Sequence, residues 1–559
     1  MSAEVASADR APTADGGRPG MRWWGWGRDE DAIELPAAAA ELLRGELGLD
    51  GNERGERVEL DQVTLPQSRL GDSARRALGA AVGEDAVADD RATRIAHAAG
   101  RGYPDLVRLR AGDASGAPDA VVFPSDAVQV AAVLAACAEQ GVAVIPFGGG
   151  TSVVGGVEAL PGDHSAAITL DLSRLSSSVA VDSRSLTATV DAGIFGPELE
   201  RQLGAAGVTL GHFPQSFEYS TVGGWVATRS AGQASTGYGR IDELVEAVHC
   251  VTPSGDLATL DAPASAAGPS LRELVVGSEG VLGVITSATV RVRPVPGERR
   301  YEAWSFASFA EGVEAFRQLE QSGAAPDVAR LSDEEETRLT MALGSSGGTA
   351  ERLGRLYLRV RGQEGGCIAF TGFDGTTDTV AARRGRTAEL LRACGAVSLG
   401  ARPGRSWLRG RFAAPYLRDE LLDRGVMVET LETATTWANL DTLYDAVRTA
   451  LRDTLQQRGT PPAVMCHVSH LYGSGASLYF TFIARQELGA EIDQWRAAKH
   501  AACDAIVASG GTITHHHAIG RDHRDWMPAE VGELGIEVLR AVKDRIDPAG
   551  IMNPGKLLP

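Results

Sequence analysis

A chain of 559 residues is too long for one compact core, and 43% hydrophobic with 23% charged residues describes an ordinary globular protein of two or three domains. Its 54 basic against 73 acidic residues leave a net charge of −19, which excludes a general nucleic-acid binder. No run approaches the roughly 18 apolar residues of a membrane-spanning helix, and six scattered cysteines without CxxC spacing read as reduced core residues rather than disulfides or zinc ligands.

Residues 1–20 are polar and lack a hydrophobic stretch, so they read as a disordered leader and not a signal peptide, and a cytoplasmic protein is expected. Within 21–110, "MRWWGWG" offers three tryptophans as an anchor on the body, and the Ala/Leu-rich stretches 36–48 and 74–98 predict helices. From about 118 the texture turns to short β-like runs separated by Gly and Pro, giving a domain over 111–297 that closes at "RPVPGERRY". Residues 298–520 mix strand-like runs, "LYLRV" and "SLYFTFIA", with amphipathic helices such as 485–508, and form a second domain. The tail 521–559 ends in the turn-rich "DPAGIMNPGKLLP", expected to return to the first domain.

Three loops carry chemistry in the first domain. "VAVIPFGGGTSVVGG" runs from an apolar stretch into Pro146, Phe147, Gly148, Gly149, Gly150, Thr151 and Ser152. Glycines there let backbone N–H groups approach an anion such as a pyrophosphate. The loop is neither a Rossmann GxGxxG nor a P-loop, because Val153 takes the last glycine position and no GK[ST] follows. The second loop holds Gln215, Ser216, Phe217, Glu218, Tyr219, Ser220 and Thr221, continuing to Thr228, Arg229, Ser230 and Ala231. The third holds Glu279, Gly280, Val281, Leu282, Gly283, Val284 and Ile285.

In this order and spacing the three loops resemble the FAD-binding domain of the vanillyl-alcohol oxidase / p-cresol methylhydroxylase superfamily. The resemblance implies an α+β fold, in which a two-subdomain FAD-binding domain is joined to a cap with an antiparallel sheet flanked by helices. It makes the residues just named the cofactor-binding set. The first loop, 146–156, has no His or Cys to tether a flavin, so FAD is expected to be non-covalent.

Near the end stands "TITHHHAIGRDH", with His515, His516 and His517 adjacent. On a regular strand the side chains alternate, so all three cannot serve one metal ion, and no carboxylate or Cys at recognisable spacing completes a site. No metal is expected. A triple histidine at this slot is similar to the alkyldihydroxyacetonephosphate synthase family, where flavin-dependent 2-hydroxy-acid dehydrogenases read more like GEHGIG. That resemblance spans roughly residues 21–559. It places a catalytic tyrosine at Tyr479 in "SHLYGSGASLYFTF", a phosphate-binding arginine at Arg418, a second functional arginine at Arg330 in "VARLSD", and a further histidine at His212 in "TLGHFP". Gln215 and Ala518 depart from the family, which has an acidic residue and a Gly there.

Independently of that resemblance, Arg402, Arg405, Arg409, Arg411 and Arg418 fall within 17 residues of an acidic chain, and guanidinium forks suit phosphate dianions. A solvated basic face accounts equally well for the first four. Tyr479 could relay a proton if a neighbouring imidazolium lowered its pKa, and the near-neutral pKa of histidine suits proton exchange. The reaction implied by the resemblance exchanges the acyl chain of acyl-dihydroxyacetone phosphate for a long-chain alcohol without net redox change, with the flavin as a covalent trap. The partners implied are a phosphorylated lipid and that alcohol, with no nucleic acid; peripheral membrane contact and a homodimer stay open. The competing reading is a dehydrogenase or oxidase for a 2-hydroxy acid such as lactate or glycolate.

Overall fold

The computed structural model describes residues 20–51, 57–343 and 349–559, so the expected leader falls almost wholly outside the described residues. Four strands make the first sheet: β1 (Val87–Ala88), β2 (Ala120–Val122), β3 (Val142–Phe147) and β4 (Ala166–Asp171), in the order β1-β2-β4-β3. β3 and β4 run parallel, and both are almost continuously apolar because both faces are covered. The C-terminal tail adds to this sheet through a parallel bridge between Val144 and Met552.

The second sheet is antiparallel: β5 (Val179–Asp182), β6 (Thr187–Asp191), β8 (Val245–Thr252), β9 (Gly255–Ala258) and β10 (Val284–Arg291), in the order β5-β6-β10-β8-β9. A short pair, β7 (Val208–Thr209) with β11 (Arg293–Pro294), lies just before the cap.

The cap is built on a seven-stranded antiparallel sheet. Its strands are β12 (Glu298–Phe306), β13 (Val328–Ser332), β14 (Cys367–Gly375), β15 (Val397–Gly400), β16 (Val426–Thr436), β17 (Ala463–Tyr472) and β18 (Gly475–Arg485). Their order is β15-β12-β14-β13-β17-β18-β16. Alternation along β18 decides its two faces: Leu478, Phe480 and Phe482 are fully buried in a core shared with Leu443, Val447 and Leu451 of the helix Leu440–Gln457. Each such side chain contributes about 1.5–3 kcal/mol on burial. Tyr479 lies on the other face of the sheet.

Three local expectations need correction. The stretch 74–98 is not one helix: Gly83 takes φ +94°, and the chain breaks into a helix Asp72–Val82, a short 3-10 turn, β1, and a second helix capped by Asp90. "LYLRV" is helical, as the end of Thr349–Val360. Five residues are too few to separate the two periods, and Leu353, Leu356, Tyr357 and Val360 recur at helical spacing over the longer window. The helix expected over 485–508 begins only at Glu491, since 475–485 completes β18. No helix of the described residues is long and apolar enough to cross a membrane.

Candidate active site

Glu432, Tyr479 and His467 sit side by side in register across β16, β18 and β17, on the sheet face opposite the helix Leu440–Gln457. Arg330 on β13 continues the row: its guanidinium contacts His467 Nε2 at 3.1 Å and donates to Glu336 at 2.5 Å. A register shift between Val468 and Leu471 disturbs β17, and His470 within it and Tyr472 just beyond it both meet the histidine run.

That run is not a strand. Residues 512–517 form an irregular turn wrapped around one carboxylate. Glu432 accepts the backbone N–H of His515, of His516 at 3.1 Å and of His517 at 2.6 Å, together with the Thr514 hydroxyl at 2.7 Å. Three successive amides converging on an anion form a nest, and the alternation expected of a strand disappears. All three imidazoles therefore reach one pocket. His515 stacks on His470 at 4.9 Å and pairs with the Tyr472 hydroxyl at 2.5 Å, while its Nδ1 lies 2.8 Å from His516 Nδ1. Tyr479 is sandwiched between His467 at 4.8 Å and His516 at 5.9 Å, with His517 edge-on at 5.5 Å. His470, His515 and His516 also bring three ring nitrogens within 4.8 Å of one another, as do Glu432, His516 and His517 with their own donor atoms.

The electrostatics overturn the idea of an imidazolium activating the tyrosine. Burial pushes His517 down to about 3, lowers His516, and takes His515 and His470 well below the usual imidazole range. Burial also raises the Tyr479 phenol to about 12. Burial opposes charge on Glu432 as well, but the charge that His516 and His517 take on in acid, with the donated hydrogen bonds, outweighs it and holds this carboxyl at about 2. The site is thus a set of neutral imidazoles and a protonated phenol around one ionised glutamate.

His212 lies buried nearby, with Nε2 on the Ser230 hydroxyl at 3.1 Å and Nδ1 without a partner; burial takes it to about 3. Arg418, on the helix Ala414–Leu422, donates one hydrogen bond to the Arg101 carbonyl at 2.7 Å, and its Nε and Nη2 are buried without any partner. Arg402, Arg405 and Arg409 are exposed and form the solvated face, while Arg411 stacks over Phe213 and Phe412.

The three glycine-rich loops meet. A Cβ on Gly149 would fall 1.7 Å from the Tyr219 carbonyl oxygen, and one on Gly148 would fall 2.2 Å from Thr221 Oγ1, so only glycines let loop 148–152 lie against 219–221. Among the described residues the N–H groups of Gly150 and Thr151 find no acceptor, and the hydroxyl of buried Ser278 is unpartnered. Free amides at a strand end beside a glycine cradle fit a pyrophosphate. Thr221 then caps the helix Val222–Thr228, Phe217 stacks on Trp225, and Gln215 meets Gln233. Two residues expected at the cofactor turn their side chains elsewhere. Arg229 pairs with Asp242 and Glu273, and Glu279 accepts the N–H of Ile519 at 2.8 Å and of Gly520 at 2.6 Å.

Sequence reasoning missed Glu432, His467, His470 and Tyr472. His467 precedes "SHLY" by two residues and His470 lies within it, and both could have been found by asking which side chains of that strand come near Tyr479. Glu432 gives no local signal, since it lies 83 residues from His515.

Comparison with known proteins agrees with this geometry. Residues 118–261 match the FAD binding domain family, and residues 295–557 match the C-terminal domain of FAD linked oxidases. An alkyldihydroxyacetonephosphate synthase of Dictyostelium discoideum is 36% identical over 85% of this chain and 79% of its own length; one of Trypanosoma brucei brucei is 34% identical over the same shares. A crystal structure of an alkyldihydroxyacetonephosphate synthase superposes with a TM-score of 0.83 at 31% identity, covering 96% of this chain and 98% of its own. A D-lactate dehydrogenase (cytochrome) of Saccharomyces cerevisiae is more distant, at 25% identity over 79% of the chain. The chain carries an FAD-binding domain, and it belongs to the alkyldihydroxyacetonephosphate synthase family.

Proposed function

We propose that the chain is an FAD-dependent alkylglycerone-phosphate synthase, exchanging the acyl chain of acyl-dihydroxyacetone phosphate for a long-chain alcohol to give an ether lipid precursor. The observation that carries this reading is the histidine run folded around Glu432 so that its rings enclose Tyr479, in a chain 36% identical to a named synthase. FAD bound in the glycine cradle would supply a reversible covalent partner for the substrate carbon.

The chain's own groups do the rest. The Arg418 fork, with two buried N–H groups unsatisfied, binds the substrate phosphate and is itself satisfied by it. Tyr479, held protonated, gives the reacting carbon a proton in exchange for the one that a neighbouring neutral imidazole removes from it, so the hydrogen count of that carbon is unchanged. The neutral imidazoles of His516 and His517 take the hydroxyl proton of the incoming alcohol, while the fatty acid departs as carboxylate. Arg330, through His467, fixes the ring stacked on Tyr479, and His212 lines the same pocket. The residues of loops 146–152, 215–221, 228–231 and 279–285, without the side chains of Arg229 and Glu279, hold FAD non-covalently. A phosphorylated lipid and a long-chain alcohol are the partners, met by a cytoplasmic protein at a membrane surface.

Arg418→Lys tests the phosphate assignment. It keeps the charge and loses the fork, so the apparent KM for acyl-dihydroxyacetone phosphate should rise at least about tenfold. An unchanged KM contradicts it.

A further inference from the structure

A second crevice lies outside the pocket of Tyr479, where the helices Tyr103–Arg110 and Glu491–Ala508 meet the loops around Gly155 and Arg521. It encloses about 200 Å³, against the roughly 10–15 Å³ that one water molecule needs. Lys499 lines it and is only 2% exposed, yet among the described residues it forms no hydrogen bond and no ion pair. Asp522 also lines it, with Oδ2 buried and unpartnered.

The other charges of the wall are largely committed. Arg108 bridges Asp105 at 2.9 Å and Glu158 at 3.6 Å, Arg521 holds Glu158 at 2.6 Å, and Arg524 stands 3.9 Å from Asp525. Arg496, paired with Asp493 outside the crevice, and His500 complete the basic side. Burial raises the Asp522 carboxyl to about 7, so near neutral pH it can offer a hydroxyl donor as well as an acceptor. The buried ammonium feels the carboxyls of Glu429 and Asp522 but forms a hydrogen bond or ion pair with neither, so its N–H donors are left for a group that enters the crevice, and donors suit an anion rather than a metal ion.

We infer that this crevice is an oxyanion site, for a phosphate or carboxylate group, with the Lys499 ammonium as its central ligand and the Asp522 carboxyl beside it. The site goes beyond the proposed function and does not depend on it. The anion sits between Lys499 and Asp522, with the guanidinium groups of Arg496 and Arg521 within the same wall.

Sodium sulfate, an oxyanion that does not titrate near neutrality, is the probe, added to the full-length FAD-loaded protein at constant ionic strength. The melting temperature should rise saturably with sulfate and not with chloride. Lys499→Met should weaken the apparent affinity at least about tenfold, as expected for losing a charged donor, while Lys499→Arg and Arg418→Gln keep it. No sulfate response in the wild type, an unaltered response in Lys499→Met, or a response lost in Arg418→Gln overturns the inference. Should Lys499→Met fail to fold, Asp522→Asn decides. Asp522 faces Lys499, Asp105, Glu429 and Arg521, with His500 at the mouth, so both proteins are measured with His500→Gln. With Asp522 present, sulfate affinity should fall as pH rises through about 7, and in Asp522→Asn it should stay level. An equal fall in both overturns the assignment. Competition by glycerol 3-phosphate or by hexanoate then separates a phosphate from a carboxylate occupant, and displacement by neither marks the sulfate as adventitious and overturns the site.

Discussion

Tyr479 and the three histidines are legible in the sequence as residue types, but their ionisation is not. A histidine read from a string of letters has an ordinary imidazole pKa, and only burial among other rings drives His517 to about 3 and the tyrosine to about 12. No imidazolium stands beside the phenol at rest, and a protonated phenol among neutral bases takes its place. Tyr479→Phe removes one oxygen and leaves the ring stacked on His467, so flavin content and melting temperature should hold. Turnover per flavin should drop by roughly 10²–10⁴-fold, as for loss of a general acid. A structural tyrosine would give the opposite pattern, with lower stability and intact specific activity. Ala518 illustrates a second limit: it takes φ +76°, in the left-handed region, which explains why glycine suits this slot in the family.

At the scale of elements, the segment 512–520 is held by three carboxylates from three places. Glu432 on β16 gathers residues 514–517, Glu530 binds Thr512 at 2.6 Å and Ile513 at 3.0 Å, and Glu279 binds Ile519 and Gly520. None of the three was singled out by the sequence as holding this turn. Glu432 and Glu279 lie far from it along the chain and Glu530 17–18 residues on, and a strand period assumed for the run gave the wrong picture of its side chains. Glu432→Gln should cost about 1.5–3 kcal/mol, the range for hydrogen bonds to a charged group, read by denaturant unfolding. Ether-forming turnover should fall with FAD still bound, whereas turnover equal to wild type would show that the nest does not position the rings. The glycine loops were legible because backbone approach leaves a compositional trace. Gly149→Leu should abolish FAD binding, since even a Cβ meets the Tyr219 carbonyl at 1.7 Å, and a variant that purifies yellow would refute the cradle.

Across the whole molecule, the antiparallel cap sheet brings Arg330, His467, Tyr479 and Glu432 into one row, and the return of the tail to β3 ties the C-terminal segment to the FAD-binding half. Strand order of this kind leaves no mark in local periodicity, so the row could be drawn only once β13, β17, β18 and β16 were seen as neighbours. The fold class was legible through the cofactor loops and the alternation of "SLYFTFIA"; the helix within 349–360 and the break at Gly83 were not, because short windows carry both periods. The central claim is that this arrangement forms an ether without net redox change. Incubating the purified FAD-loaded protein with acyl-dihydroxyacetone phosphate and a labelled long-chain alcohol, under anaerobic conditions, tests it most directly. The account predicts labelled alkyl-dihydroxyacetone phosphate and an equal amount of released fatty acid, with the flavin oxidised at the end. Absence of the labelled ether, together with bleaching of the flavin by lactate or glycolate, would contradict it.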